Sequence, residues 1–302
     1  MSKSVSGSVD VKMIAGACYI PKNDQEKTMG SDSHFIEEEV QAIGVADGVG
    51  AGEFARALMS KAAKEAKKHC LPNPYVVPKQ VLRHAYFQSG KSSGSCTACI
   101  VALDENTLKA VVVGDSGFLV IRGGKVVYKS PVQLTEEFDC SYQLVAGTAR
   151  GLDVAAELKL QMEAGDVIVV GTDGLFDNLF PEEIEAMVKV SLQRDDQPNV
   201  LAESLAKAAL EKSLDTNCKS PYVAAAQAAG LVYTGGKPDD ITVVAGYVQP
   251  YSKAKVNEFS SGTDWFHQML KYRQKNAYID PRKKYEYYES ILNPHGQLRG
   301  LW

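Results

Sequence analysis

Short apolar runs recur along this chain, and several of them end in a glycine or an aspartate. Gln41-Ala-Ile-Gly-Val-Ala46 leads into Asp47-Gly48, Ala110-Val-Val-Val-Gly114 into Asp115-Ser116-Gly117, and Asp166-Val-Ile-Val-Val-Gly171-Thr172 into Asp173-Gly174. Runs of this length, rich in Val and Ile and bounded by turn residues, predict strands. The same reading places strands near 11–20, 41–46, 97–103, 108–114, 117–122, 125–129, 166–171 and 241–248, with Gly123-Gly124 as a hairpin turn. Ala and Leu recur at helical spacing over about 53–69, 78–88, 181–193 and 200–213, which predicts four helices. The strands cluster and the helices come in pairs, so regular strand–helix alternation is excluded. The pattern predicts an α+β layered domain with mostly antiparallel sheets.

Composition changes this picture little. With 302 residues, 45% of them hydrophobic, the chain can bury a substantial core as one large domain or two smaller ones. A net charge of −4 gives no nucleic-acid footprint, and no apolar run approaches the length of a membrane span. Met1-Ser-Lys-Ser-Val-Ser-Gly7 lacks a signal-peptide core. The expectation is a soluble, intracellular, cytoplasmic monomer, or an organellar one in chloroplast or mitochondrion if a transit segment is missing. Six cysteines in a chain this long do not form a disulfide framework. Cys96-Thr-Ala-Cys99 is a lone CxxC at the start of a strand, where residues three apart point to opposite faces, so both are expected to be structural.

From Tyr251 onward the composition shifts. Residues 251–302 carry ten of the 25 aromatics and nine basic residues against five acidic ones. Trp265, Phe266, Met269 and Leu270 would share one helix face, as would Tyr285, Tyr288 and Leu292, with Asn293-Pro294 as a stop. The expected division is a main domain over 1–250 and an aromatic, basic extension over 251–302, which either docks on the domain or binds a partner.

The candidate chemistry lies in six aspartates far apart in sequence: Asp32, Asp47, Asp115, Asp173, Asp239 and Asp240. Each sits at or near the end of an apolar run or in a glycine turn. A single Asp-Gly is usually only a turn. Recurrence changes the reading, because carboxylates gathered at strand ends repel one another unless divalent cations neutralise them, and Mg²⁺ and Mn²⁺ prefer such oxygen ligands. Gly50-Ala-Gly52-Glu-Phe-Ala55 also fits a loose dinucleotide-binding fingerprint, a weaker competing reading because no acidic residue ends a second strand about 20 residues further on.

The blocks Val45-Ala-Asp47-Gly48-Val-Gly50, Gly114-Asp115-Ser116-Gly117-Phe118, Gly171-Thr-Asp173-Gly174-Leu-Phe176-Asp177-Asn178 and Lys237-Pro-Asp239-Asp240-Ile-Thr242 follow one another in this order. Together with Ser93-Gly-Ser95-Cys-Thr97, Ser130-Pro131-Val-Gln133 and Tyr142-Gln-Leu144, they make the chain resemble the metal-dependent 2C-type serine/threonine protein phosphatases, the short plant and mitochondrial-type branch, over about residues 12–249.

That resemblance implies a four-layer α-β-β-α sandwich, with two central antiparallel sheets flanked by helix pairs and two Mg²⁺ or Mn²⁺ ions at one edge. It also implies a role for each acid. Asp47 resembles the carboxylate bridging both ions, the Gly48 carbonyl a ligand of the second, and Asp173 and Asp239 the other direct ligands. Asp32 resembles a group holding metal-bound water, Asp115 a ligand with Asp173 of a looser third ion, and Asp240 a neighbour where many relatives have asparagine. The implied activity is hydrolysis of phosphoserine and phosphothreonine in phosphorylated protein substrates by a metal-activated water.

Three departures from the family pattern are visible. Ser31 stands where an acidic residue is common, Val49 where many relatives have histidine, and Gly50-Ala-Gly52-Glu53 enters the next helix without the usual intervening residues. A basic residue ahead of the first acidic block commonly holds phosphate, for which Lys27 and Lys22 are the nearest here, and His34 is a possible proton source. These departures motivate an alternative: a catalytically weak or inactive phosphatase-fold protein serving as a binding or regulatory module.

Overall fold

The computed structural model describes residues 10–22, 29–68, 75–148 and 150–251. Lys27 and, apart from Tyr251, the segment 251–302 with its two expected helix faces lie outside them.

Among the described residues, twelve strands and six α-helices follow one another in this order: β1 (Val11–Ile20), β2 (Ser33–Glu37), β3 (Ala42–Ala46), α1 (Glu53–Lys68), α2 (Pro78–Gln88), β4 (Ser95–Cys96), β5 (Ala98–Asp104), β6 (Thr107–Val113), β7 (Gly117–Arg122), β8 (Lys125–Lys129), β9 (Leu144–Val145), β10 (Ala156–Gln161), β11 (Val167–Gly171), α3 (Asp173–Phe176), α4 (Pro181–Gln193), α5 (Pro198–Leu214), α6 (Pro221–Ala228) and β12 (Ile241–Pro250). One five-stranded sheet has the order β1-β12-β11-β7-β8 and the other β10-β6-β5-β3-β2, with a small β4-β9 pair beside them. Every ladder among them is antiparallel. This removes the dinucleotide reading of Gly50–Ala55, which needs a strand of a parallel sheet before its helix.

Three apolar layers hold the sandwich together. Phe54, Leu58, Met59, Val81 and Leu82 of α1 and α2 pack on Ile100 and Val111 of the second sheet. Ile43, Val45, Val101 and Val112 meet Phe118, Ile168, Val170 and Val244 between the sheets. Val169, Val243 and Ala245 are covered by Ile184, Val188, Leu201 and Leu205 of α4 and α5. The four-layer arrangement implied by the resemblance is therefore the observed one. Alternate residues of one strand feed different layers: Val45 enters the layer between the sheets and Ala46 the helix-facing one. Cys99 lies between the sheets and Cys96 under the helices, both buried, as expected of structural cysteines.

Local signals explain the element ends. The helices α2, α4, α5 and α6 each begin with proline, at Pro78, Pro181, Pro198 and Pro221, where the missing N–H is not needed. Gly123 and Gly124 both have positive φ, the conformation a tight two-residue hairpin requires between Arg122 and Lys125. The run through Thr172-Asp173, read from sequence as a strand end and turn, continues into the one-turn helix α3.

Candidate metal centre

The antiparallel registers bring the acidic segments to one end of the sandwich. Gly171 at the end of β11 pairs with Gly117 at the start of β7 and with Val243 near the start of β12. Ala46 at the end of β3 pairs with Ser33 at the start of β2, and Val113 at the end of β6 with Ala98 at the start of β5. Asp32, Asp47, Asp115, Asp173 and Asp239 lie in the residues just beyond these ends.

Asp32 is buried, 3% exposed, and its Oδ2 accepts hydrogen bonds from the hydroxyls of Thr172 and Thr242, each at 2.8 Å. The two threonines are themselves tied together, the Thr242 amide donating to Thr172 Oγ1 at 3.1 Å. Asp32 and Asp47 lie close enough for each carboxyl to influence the other's protonation, a consequence of their crowding. Asp47 is anchored through its backbone: its amide donates to Thr97 Oγ1, and the Thr97 amide donates to the Asp47 carbonyl at 2.9 Å.

Burial and like charge raise the pKa values of Asp32, Asp47, Asp115 and Asp239. The Asp47 carboxyl is pushed far above the carboxylate range, first by burial and then by Asp173, Asp32 and Asp239. Burial pushes Asp32 up to about 7 and Asp115 up to about 6, with the charge of Asp173 adding to both. Asp239 is raised for the same two reasons. These mutual influences place Asp32, Asp47, Asp173 and Asp239 in one electrostatic cluster, with Asp115 joined to it through Asp173.

The backbone of two glycines lets the segments close in. A Cβ on Gly48 would stand 2.3 Å from the Ser31 carbonyl oxygen, and one on Gly174 would stand 2.0 Å from the Asp240 carbonyl oxygen. Asp240 itself turns away from the cluster. Its carboxylate accepts the Lys22 amide at 2.7 Å, the Ser31 amide at 2.7 Å and the Ser31 hydroxyl. Burial alone would raise its pKa, but the hydrogen bonds from Ser31 and Lys22 outweigh it and hold the carboxyl below its ordinary value.

Several residues of this end were not singled out from sequence. Lys237 Nζ lies 2.8 Å from Asp173 Oδ2, 2.8 Å from Asp177 Oδ2 and 3.1 Å from Asp139 Oδ1. Asp177 is four residues after Asp173, the spacing that puts two side chains on one face of a helical turn, so its position was readable once α3 was recognised. Asp139 and Lys237 are 98 positions apart, and no local signal links them. Arg56 donates to the Gly30 carbonyl at 2.8 Å and to the Ala51 carbonyl, pinning the short Gly50–Gly52 loop against the segment that carries Asp32.

Of the accessory candidates, Lys22 Nζ is 3.7 Å from Asp239 Oδ1, beside the cluster. His34 is exposed on β2, and Val49 is exposed and offers no protonatable group.

Whether these residues suit a divalent cation follows from their unused atoms. Asp32 Oδ1, Asp115 Oδ1 and Asp173 Oδ1 are shielded from solvent and have no hydrogen-bond partner. A buried carboxylate oxygen without a partner is costly, and an all-oxygen donor set suits a hard cation. The residues fit such an ion. Among the described residues, however, no three acidic, His or Cys side chains are already set as ligands around one point. The three that close around a common atom close on Lys237.

A family model described as Stage II sporulation protein E matches residues 37–249. The Arabidopsis thaliana protein named "Probable protein phosphatase 2C 55" is 43% identical over 247 residues, which cover 79% of this chain and 52% of that relative. The chain thus spans about half the length of that relative. Among solved structures, that of the photosystem II phosphatase PBCP is 30% identical with a TM-score of 0.72, covering 79% of this chain and all of the other. The catalytic domain of the serine threonine protein phosphatase PstP, solved with two manganese ions, shares the fold with a TM-score of 0.58 at 17% identity, covering 79% of this chain and 99% of its own.

Proposed function

Because this chain belongs to the protein phosphatase 2C family, we propose that it hydrolyses phosphoserine and phosphothreonine in protein substrates at a centre holding two Mg²⁺ or Mn²⁺ ions. The observation that carries this reading is the convergence of Asp32, Asp47, Asp173 and Asp239 from separate strand ends, with Asp32 Oδ1 and Asp173 Oδ1 buried and unpartnered. The two manganese ions of the fold relative support the choice of metal.

Asp47, the Gly48 carbonyl, Asp173 and Asp239 would hold the ions. When bound, a pair of divalent cations increases the acidity of water and offsets charge on the phosphoryl oxygens. The chain's own residues supply position. Thr172 and Thr242 occupy Oδ2 of Asp32, so only Oδ1 is left to accept a hydrogen bond from the attacking water and aim it. Thr97 fixes the backbone of Asp47, and Gly48, lacking a Cβ, lets the chain pass close to Ser31. Val49 has no proton to give, so the leaving oxygen would take one from solvent or from His34.

Cys96 and Cys99 offer no cysteine-based covalent route. Cys96 and Cys99 are fully buried, and burial raises both thiols far above the range where a thiolate nucleophile forms. Release of phosphate from a phosphothreonine peptide, dependent on added Mn²⁺ or Mg²⁺ and abolished by chelator, tests this function. Metal uptake without phosphate release would favour the binding-module alternative.

A further inference from the structure

The acidic end of the sandwich contains a cation of its own. Lys237 Nζ is ringed by Asp173, Asp177 and Asp139 at 2.8, 2.8 and 3.1 Å, with Asp239 Oδ2 at 3.9 Å. On another side the ammonium stands 5.0 Å from the centroid of the Tyr222 ring. Its side chain is only 16% exposed.

The placement is built rather than incidental. The Lys237 amide donates to Asn178 Oδ1 at 2.9 Å, and Asn178 Nδ2 donates back to the Lys237 carbonyl at 2.9 Å. Asn178 follows Asp177 directly, so the residue that fixes the lysine backbone adjoins one of the carboxylates receiving its ammonium. The Tyr222 hydroxyl donates to Asp139 Oδ2 at 3.1 Å, holding the third carboxylate in place. Gly236 fits only because it lacks a Cβ, which would meet the Lys212 carbonyl at 2.0 Å.

We infer that the Lys237 ammonium is a resident cation that fills the subsite between Asp139, Asp173 and Asp177 and excludes a divalent ion from it. The inference rests on the metal-centre reading above. The acidic end then has two halves. On one side Asp47, Asp32 and Asp239 depend on added metal. On the other, Asp177, Asp139 and one oxygen of Asp173 are neutralised by the chain itself. Asp115, expected from sequence to share a looser third ion with Asp173, lies near enough to Lys237 for the ammonium to favour its ionised form. An ammonium is smaller in charge and fixed by its tether, so this half stays assembled without metal while the other half does not.

Mn²⁺ uptake by calorimetric titration and electron paramagnetic resonance, on the full chain, tests this directly. Lys237→Gln should bind about one more Mn²⁺ per chain than the wild type, while Lys237→Arg, which keeps the charge, should not. Equal uptake by wild type and Lys237→Gln would overturn the inference and leave the metal-centre reading intact. Absence of Mn²⁺ binding in both would overturn that reading, and this inference with it. A second measurement needs no variant: acetylation of Lys237 in the wild type, followed by mass spectrometry. Low reactivity, unchanged as Mn²⁺ saturates, supports a resident cation; reactivity that rises with Mn²⁺ shows displacement of the ammonium and contradicts it.

Discussion

Ser31 donates both its amide, at 2.7 Å, and its hydroxyl to one oxygen of Asp240, Oδ2. Read in sequence, Ser31 looks like the loss of an acidic residue that relatives commonly carry. In space, a carboxylate stands one hydrogen bond away on the segment entering β12, and the Asp240 amide in turn donates to Asp239 Oδ1 at 3.0 Å. Asp240→Asn would put an amide group against three donors. We expect it to lower unfolding free energy by about 1–3 kcal/mol in urea titrations and to weaken Mn²⁺ binding through Asp239, with Ser31→Ala costing about 1 kcal/mol. Wild-type stability in both would remove the structural role assigned to this pair.

The raised carboxyls set the pH response of the metal-free protein. Asp32 and Asp177 are pushed up to about 7 and Asp115 to about 6, each first by burial, against an unfolded value of about 3.9. Between these values the folded state binds more protons than the unfolded one. Their stabilising contribution is therefore present in acid and is lost as pH rises through 6 to 7. In chelator, the melting temperature should fall by about 5 °C or more from pH 5 to pH 8, and Mn²⁺ should restore it more at pH 8 than at pH 5. A chelated protein that gains stability over this range would contradict the assignment.

Thr172 and Thr242 both give their hydroxyl protons to Asp32, and beyond that Thr172 Oγ1 accepts the Thr242 amide, so removing the Thr172 hydroxyl should loosen the site and cost the fold that one bond. Thr172→Val removes one of the two hydroxyls that hold Asp32 Oδ2, leaving Thr242, and loosens the aim of Oδ1. The expected result is about a tenfold loss in phosphate release or metal affinity, the range seen when a group supporting a metal-site residue is removed. An unchanged rate with unchanged Mn²⁺ affinity would show that Asp32 needs no such support.

Gly174 tests the closeness of the segments. Its absent Cβ would lie 2.0 Å from the Asp240 carbonyl oxygen, a backbone atom that cannot swing aside. Gly174→Ala should cost about 3 kcal/mol or more and disturb Asp173 and Asp240 together, visible as a lower melting temperature and weaker Mn²⁺ binding. A melting temperature and Mn²⁺ affinity equal to the wild type would show that α3 and the segment entering β12 are less closely packed than described.

The layers were legible where a strand is buried on both faces. The strands β3, β6 and β11 read as near-continuous apolar runs, and Asp47, Asp115 and Asp173 followed just past their ends. The strands β2 and β10 were not, and both are outer strands of one sheet. Residues 156–161 of β10 alternate between half-buried and exposed, with Glu157, Lys159 and Gln161 outward, so no apolar run marks them. At the site, the aspartates announced themselves through repeated Asp-Gly and strand-end positions. Lys237 and Asp139 did not, because an ion pair across 98 positions leaves no spacing to read. Nor did Arg56, whose hold on Gly30 and Ala51 makes the short loop a pinned one.

The central claim is that carboxylates gathered at one end of the sandwich form a two-ion hydrolytic centre, and Asp47 is the acid most crowded by the others. Phosphate release from a phosphothreonine peptide, measured against Mn²⁺ concentration for wild type and Asp47→Asn with folding checked by circular dichroism, tests it most directly. The account predicts a rate that rises saturably with Mn²⁺ in the wild type and is lower by about 100-fold or more in the folded Asp47→Asn protein at every concentration. Phosphate release by the wild type in excess chelator, or wild-type rates from Asp47→Asn, would contradict it.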